Sequence, residues 1–233
     1  MQLGLESILR EGAGSLRYFA GYSFTVPERV RPYIHGMVST PRWVDRAVAS
    51  YPWPIMLDNG AFPAWRDGLE LDPIAAMQSM RAACAKHGDR ITSLIAPDII
   101  AGGDRSWRVT AHSAAKMREW AGGRRILLPV QEGQNLDLVV RYARHSDCDL
   151  FVGGATHQFK CATTDALRKL WPSAYIHVGR IASDGDLHWH SSRADSFDNT
   201  SYVRGQHFNA RQPYELQWER YLERNDNQAN VPV

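Results

Sequence analysis

The sequence predicts an α/β fold: one (β/α)8 barrel of the TIM type, regular or irregular, over residues 1–222. Two observations lead there. Short apolar runs alternate with helix-spaced segments, the signature of parallel βα units. Polar groups and glycines also follow one apolar run after another, and barrels build their sites at strand C-termini. At 233 residues the chain is somewhat below the ~250 typical of such barrels, yet ample for one large domain. A doubly wound open sheet is the main rival.

The candidate strands, in order, are SLRYFAGY (15–22), WPIML (53–57), ITSLIA (91–96), RILLPV (125–130), CDLFVG (148–153), AYIHVG (174–179) and RADSF (193–197). Each is short and lies near glycine, proline or polar turn residues. Seven are recognisable, and the eighth is expected to be hidden. Helical spacing marks PRWVDRAVASY (41–51), with Thr40 as a plausible N-cap. It also marks residues 72–88, where Ile74, Met77, Met80, Ala83 and Cys84 form an apolar set between Pro73 and Gly88. Residues 104–123 and TTDALRKLW (163–171) complete the helices, with Trp107, Trp120 and Trp171 expected in the core. The tail, 223–233, is polar and expected to fray.

Composition narrows the classes. The chain is 44% hydrophobic and 22% charged, with net charge +2, so it is an ordinary globular protein. Mild basicity permits nucleic acid without demanding it. Arg29, Arg31, Arg124, Arg125, Arg204 and Arg211 would steer a phosphate backbone only if several lined one mouth. Cys84, Cys148 and Cys161 are scattered and odd in number, which suits a reducing cytoplasm better than a disulfide framework. No CxxC pair supports a structural zinc site, the N-terminus does not read as a signal peptide, and no apolar run has the ~18 residues of a membrane span. His188 and His190 lack an evident third ligand. His157 and His177 lie near the predicted rim, where proton transfer and a structural role are both open.

Chemistry concentrates after the strands. Asp58-Asn59-Gly60, Asp98, Gln131-Glu132-Gly133, Gly153-Gly154, Gly179-Arg180 and Asp198-Asn199 all occupy such positions. Each has a plain reading: Asp58 suits a turn, Asp98 a loop start, Asp198 a cap. The repetition favours a site. Two aspartates across a pocket suit glycosidic chemistry, one attacking the anomeric carbon and the other moving protons. A third carboxylate and an amide can read the edge of a base. A Gly-Gly backbone can approach a carbonyl closely, and Phe62 can stack on a planar ring.

Five of these segments, in order, resemble the motifs of the tRNA-guanine transglycosylase superfamily. LDNGAF is similar to Asp-Ser-Gly-Gly-Phe/Tyr, VQEG to Val-Gln-Gly-Gly, and VGGATH to Gly-Gly-Leu-Ala. YIHVG resembles Leu-Met-Gly-Val-Gly, and ADSFDNTSY resembles Asp-x-Phe-Asp-Cys/Ser in its archaeal form ending in Ser-Tyr. The compact build is most similar to the DNA-modifying 7-deazaguanine transglycosylases of bacteria and phages. The resemblance implies that Asp198 attacks C1′ to form a covalent intermediate and that Asp58 is a general acid/base. It implies that Phe62 stacks on the base and that Asp98 accepts from guanine N1 and amino protons. Gln131 and the backbone of Gly154 and Ala155 would lie near O6, with Gly153 completing that segment. Asp195 would support.

The implied reaction exchanges guanine in DNA, with tRNA second, for free 7-deazaguanine. No cofactor, metal or membrane is expected, and an accessory protein would be compatible. Departures carry information. The family's C-terminal zinc site is absent, which points away from tRNA. Asn59 replaces serine, Ile176-His177 replaces Met-Gly, and Asn199 replaces Cys or Ser, which points to a different base. An N-glycoside hydrolase or nucleoside-level ribosyltransferase is the alternative enzyme, and a catalytically silent base- or nucleic-acid-binding module the alternative of another class.

Overall fold

A computed structural model describes residues 16–22, 26, 28–154, 156–181 and 184–200. Eight parallel strands close on themselves in sequence order: β1 (Arg17–Gly21), β2 (Ile34–Ser39), β3 (Ile55–Leu57), β4 (Ile91–Ile95), β5 (Arg125–Val130), β6 (Asp149–Val152), β7 (Ile176–Val178) and β8 (Ser196–Asn199). β8 pairs with β1 through Asp198↔Phe19. The barrel expected from the sequence is therefore the fold, and the open sheet is excluded. Helices α1 (Val44–Ser50), α2 (Ala61–Arg66), α3 (Pro73–His87), α4 (Gly103–Arg118), α5 (Leu136–His145), α6 (His157–Leu170) and α7 (Asp184–His190) alternate with the strands. The tail beyond 222, like Ala155, Arg204 and Arg211, lies outside the described residues.

The hidden strand is β2, IHGMVS. Gly36 weakens it as a strand signal, and its reason is packing: a Cβ there would stand 2.4 Å from the Phe19 ring. Three boundaries differ from expectation. α1 starts after a turn in which Trp43 N–H donates to Thr40 O, so Thr40 is not its N-cap. α6 starts six residues before 163, capped by Thr156 Oγ1, which accepts from Phe159 N–H. β8 is shifted toward the C-terminus, because Arg193 and Ala194 donate to His190 O in the turn that ends α7. Asp198 thus lies in the strand rather than after it. On α3 the buried set is Ala76, Met80, Ala83 and Cys84, whereas Ile74 is 63% exposed. Trp107, Trp120 and Trp171 pack partly buried against the core.

Strand alternation sorts side chains into two cores. Tyr18, Met37, Leu57, Leu94, Ile126, Leu150 and Phe197 face the helices. Phe19, Met56, Ile95 and Leu127, with Val38, Phe151 and Tyr175 against them, form a separate cluster inside the barrel. This inner layer seals the barrel and forms the floor beneath the C-terminal rim.

Candidate active site

Asp58 continues the inward register of Met56 past the end of β3. Its backbone N–H donates to Ser39 O at 2.9 Å, and its Oδ1 accepts from Gly60 N–H at 3.2 Å. Gly60 has φ +84°, a left-handed turn that glycine adopts without strain. The turn reading of Asp-Asn-Gly and its placement at the rim therefore hold together. Asp58 is half-buried, and that burial pushes its carboxyl up to about 6, helped by the charges of Asp198 and Asp98 and opposed by the Gly60 N–H.

Asn59 ties two strand ends together. Its Nδ2 donates to Ala96 O at 2.7 Å and to Asp98 Oδ1 at 2.9 Å, while its Oδ1 accepts from Ala61 N–H at 2.7 Å. Gln131 Nε2 donates to the other oxygen of Asp98, Oδ2, at 2.6 Å. Asp98 is buried, and that burial pushes its carboxyl up to about 6 against the two amide bonds. Three consecutive strands thus present a preset array of an acid and two amides. Gly153 follows β6 with no side chain, and a Cβ there would approach Gln131 Nε2 to 2.9 Å. Gly154, at φ +79°, leaves space that the Phe159 ring fills; an added Cβ would lie 2.2 Å from it.

Asp198 is held from β7. His177 Nε2 lies 3.1 Å from Asp198 Oδ2, and Arg180 N–H donates to Oδ1 at 3.2 Å. His177 is fully buried, stacked on Phe151 at 5.2 Å with Phe19 edge-on at 5.7 Å. Its Nδ1 lies 2.8 Å from Ser196 Oγ, which lies 2.7 Å from Tyr175 OH. A polar chain therefore runs from Asp198 down the barrel axis. Nearby, Lys160 Nζ donates to Arg180 O at 3.1 Å. Burial pushes the lysine amine below its ordinary value, against the pull of Asp198.

Asp58, Asp98, Gln131 and Asp198 therefore gather at one end of the barrel, with Asp58 near enough to feel the charge of both other aspartates. No family model matches the chain, and no curated protein resembles it significantly. The site stands on its own geometry.

Several expected participants behave differently. Phe62 is partly buried beside Trp65, and the Arg180 guanidinium lies 3.8 Å over its ring. Asp195 sits at the opposite end, where it accepts from Ile176 N–H at 2.7 Å and from Arg168 at 3.1 Å. Arg124 donates to Gly88, Ile91 and Ala121 carbonyls, and Arg125 pairs with Asp149 at 2.5 Å, so neither lines the mouth. His157 pairs with Asp186, not with the aspartates of the rim. His190 is buried with both ring nitrogens unpartnered, and burial pushes its imidazole down to about 3. Among the described residues no group of three or more His, Cys, Asp or Glu could hold a metal ion. Among them, too, no helix is long and apolar enough to cross a membrane.

Proposed function

We propose that this chain is a base-exchange glycosyltransferase of the guanine transglycosylase type, replacing guanine in DNA, or in tRNA, with a 7-deazaguanine. The observation that carries the reading is the unequal pair of aspartates. Asp198 is oriented by His177 and a backbone N–H, while Asp58 ionises near neutrality, at about 6. A carboxylate held in place by fixed hydrogen-bond partners suits the nucleophile, and one whose proton is retained up to about 6 suits the proton carrier.

In the reaction, Asp198 attacks C1′ as the C1′–N9 bond breaks, and the departing base takes the bond's electron pair and the Asp58 proton. The incoming base then loses its N9 proton to Asp58 and attacks C1′, displacing the Asp198 ester. Two displacements give net retention. Asp98, with Gln131 and Asn59, would hold the base edge. The target nucleotide would have to leave the duplex stack to reach the rim. No cofactor enters this scheme. Free Cys84, Cys148 and Cys161 support a reducing, cytoplasmic setting.

Placement of Arg124 and Arg125 far from the mouth favours a second reading, a hydrolase or ribosyltransferase of free nucleosides. It shares the first displacement and differs in acceptor. Incubation with nucleic acid and labelled guanine tests both. We expect label incorporation and a protein–nucleic acid adduct on denaturing gels from wild type, and neither from Asp198→Ala. Undiminished exchange in Asp198→Ala removes the assigned nucleophile, and turnover restricted to free nucleosides selects the second reading.

A further inference from the structure

The geometry points to Arg180 as a phosphodiester-binding residue for the nucleotide being exchanged, which makes a nucleic acid strand, rather than a free nucleoside, the substrate class of this site. The inference rests on the transferase reading. β3 and β7 stand four places apart in the ring of eight, on opposite sides of the barrel. Arg180 follows β7, yet its guanidinium lies over Phe62 on α2, which follows β3. Its side chain therefore crosses the mouth above the aspartates.

The backbone is fixed to make that crossing. Arg180 has φ +57°, a left-handed conformation uncommon for a residue with a Cβ. Its N–H is bound by Asp198 and its carbonyl by Lys160. Residues held in such a conformation by their surroundings concentrate at functional sites. Arg180 is exposed, and no carboxylate pairs with it among the described residues. Its capacity for a two-pronged ion pair is therefore unused.

Charge supplies the reason for an occupant. Asp58, Asp98 and Asp198 make the mouth repel phosphate, and none of the three has an arginine or lysine ion pair among the described residues. A strand entering this field needs a cation beside the attacked sugar. Arg180 is anchored through its own N–H to Asp198, so its reach covers the phosphates flanking that C1′. The planar guanidinium also occupies one face of Phe62, where a base would stack. Turning it outward to a phosphate would free that face.

Binding of labelled single-stranded DNA and RNA 12-mers, followed by fluorescence anisotropy across a salt series, tests the assignment. Arg180→Gly removes the side chain and suits the positive φ, and thermal melting reports its folding. Arg180→Gln carries the same expectation should the glycine variant melt early. We expect about tenfold weaker oligomer binding, as for one lost charge-assisted bond. The slope of log K against log salt should become shallower by about 0.7. Arg180→Lys should fall between, and the polymer, DNA or RNA, showing the larger loss is the substrate. The kcat/KM preference for oligomer over nucleoside should also fall. Unchanged affinity and slope for both polymers, or equal loss for nucleoside and oligomer, overturns the proposal. Wild type that forms the Asp198 adduct while binding is insensitive to Arg180 refutes the phosphate site alone. Wild type that binds strands through Arg180 but forms no adduct refutes the transferase reading alone.

Discussion

The two ends of this barrel treat charge in opposite ways. At the N-terminal end two carboxylates beside the strand starts, Asp149 and Asp195, each have an arginine. Arg125 pairs with Asp149, Arg168 with Asp195, and Arg125 and Arg17 lie over the Tyr175 ring at 3.9 and 5.3 Å. At the C-terminal end Asp58, Asp98 and Asp198 have amides, backbone N–H groups and one histidine instead. The aromatic and aliphatic layer around Phe19, Met56 and Phe151 separates the two. Paired charge at one end serves stability. Carboxylates left without cations at the other cost stability, the arrangement that the proposed chemistry would use.

The largest expected effect lies at the upper end. Asp198→Ala should lower exchange at least about 10³-fold, as loss of a covalent nucleophile does, with little fall in melting temperature. A variant that loses its fold along with its activity would mean that Asp198 is a structural residue like its counterparts below.

Asp195→Ala is the mirror experiment, three residues before Asp198 and just ahead of β8. It leaves the buried Ile176 N–H without its acceptor and removes one of several partners of Arg168. Cost on the order of 2–3 kcal/mol is expected, read by denaturant unfolding, with exchange per folded molecule retained. Equal loss of activity would erase the distinction between the ends.

A third test uses pH. Asp58 ionises at about 6 in the folded chain against 3.8 for the ordinary group. Between those values the folded chain holds a proton that the unfolded chain has released. Stability from this group is therefore greatest in acid and declines as pH rises through 6. Asp58→Asn keeps an acceptor for Gly60 N–H and removes the charge. It should stabilise the protein by about 1–3 kcal/mol at pH 7.5, and the gain over wild type should vanish below pH 3.8. Proton-dependent exchange should be lost with it. A pH-independent difference would place the effect in packing.

Much of this contrast was legible in the sequence, because it follows from strand alternation. Asp58, Asp98, Gln131 and Asp198 each stand at or just past the end of an apolar run, and in a parallel barrel those ends share one rim. What escaped depended on contacts between distant segments. His177 reads as a lone histidine, and only closure of the barrel sets it between Asp198 and Ser196. Asn59 reads as a turn residue, and its hold on Asp98 crosses to the next strand. Arg180 carries no local sign of a positive φ. β2 was obscured because Gly36 is chosen for the Phe19 ring from the neighbouring strand, and α5 (LDLVVRYARH) was missed although Asn135 caps it by accepting from Leu138 N–H. The place of Arg124 and Arg125 stayed open for the same reason: sequence proximity to a predicted strand does not say which end they flank.

The smallest effect sharpens the lower end. Arg125 both pairs with Asp149 and lies flat over Tyr175, whose hydroxyl starts the chain through Ser196 to His177. Arg125→Lys keeps the charge and gives up the planar contact, at a cost of about 0.5–1 kcal/mol. If the lower end is purely a structural plug, exchange kinetics should not change beyond the small shift in stability. Should the rate constant for adduct formation fall while the melting temperature holds, the polar chain couples Tyr175 to Asp198, and the two ends of the barrel would act as one device.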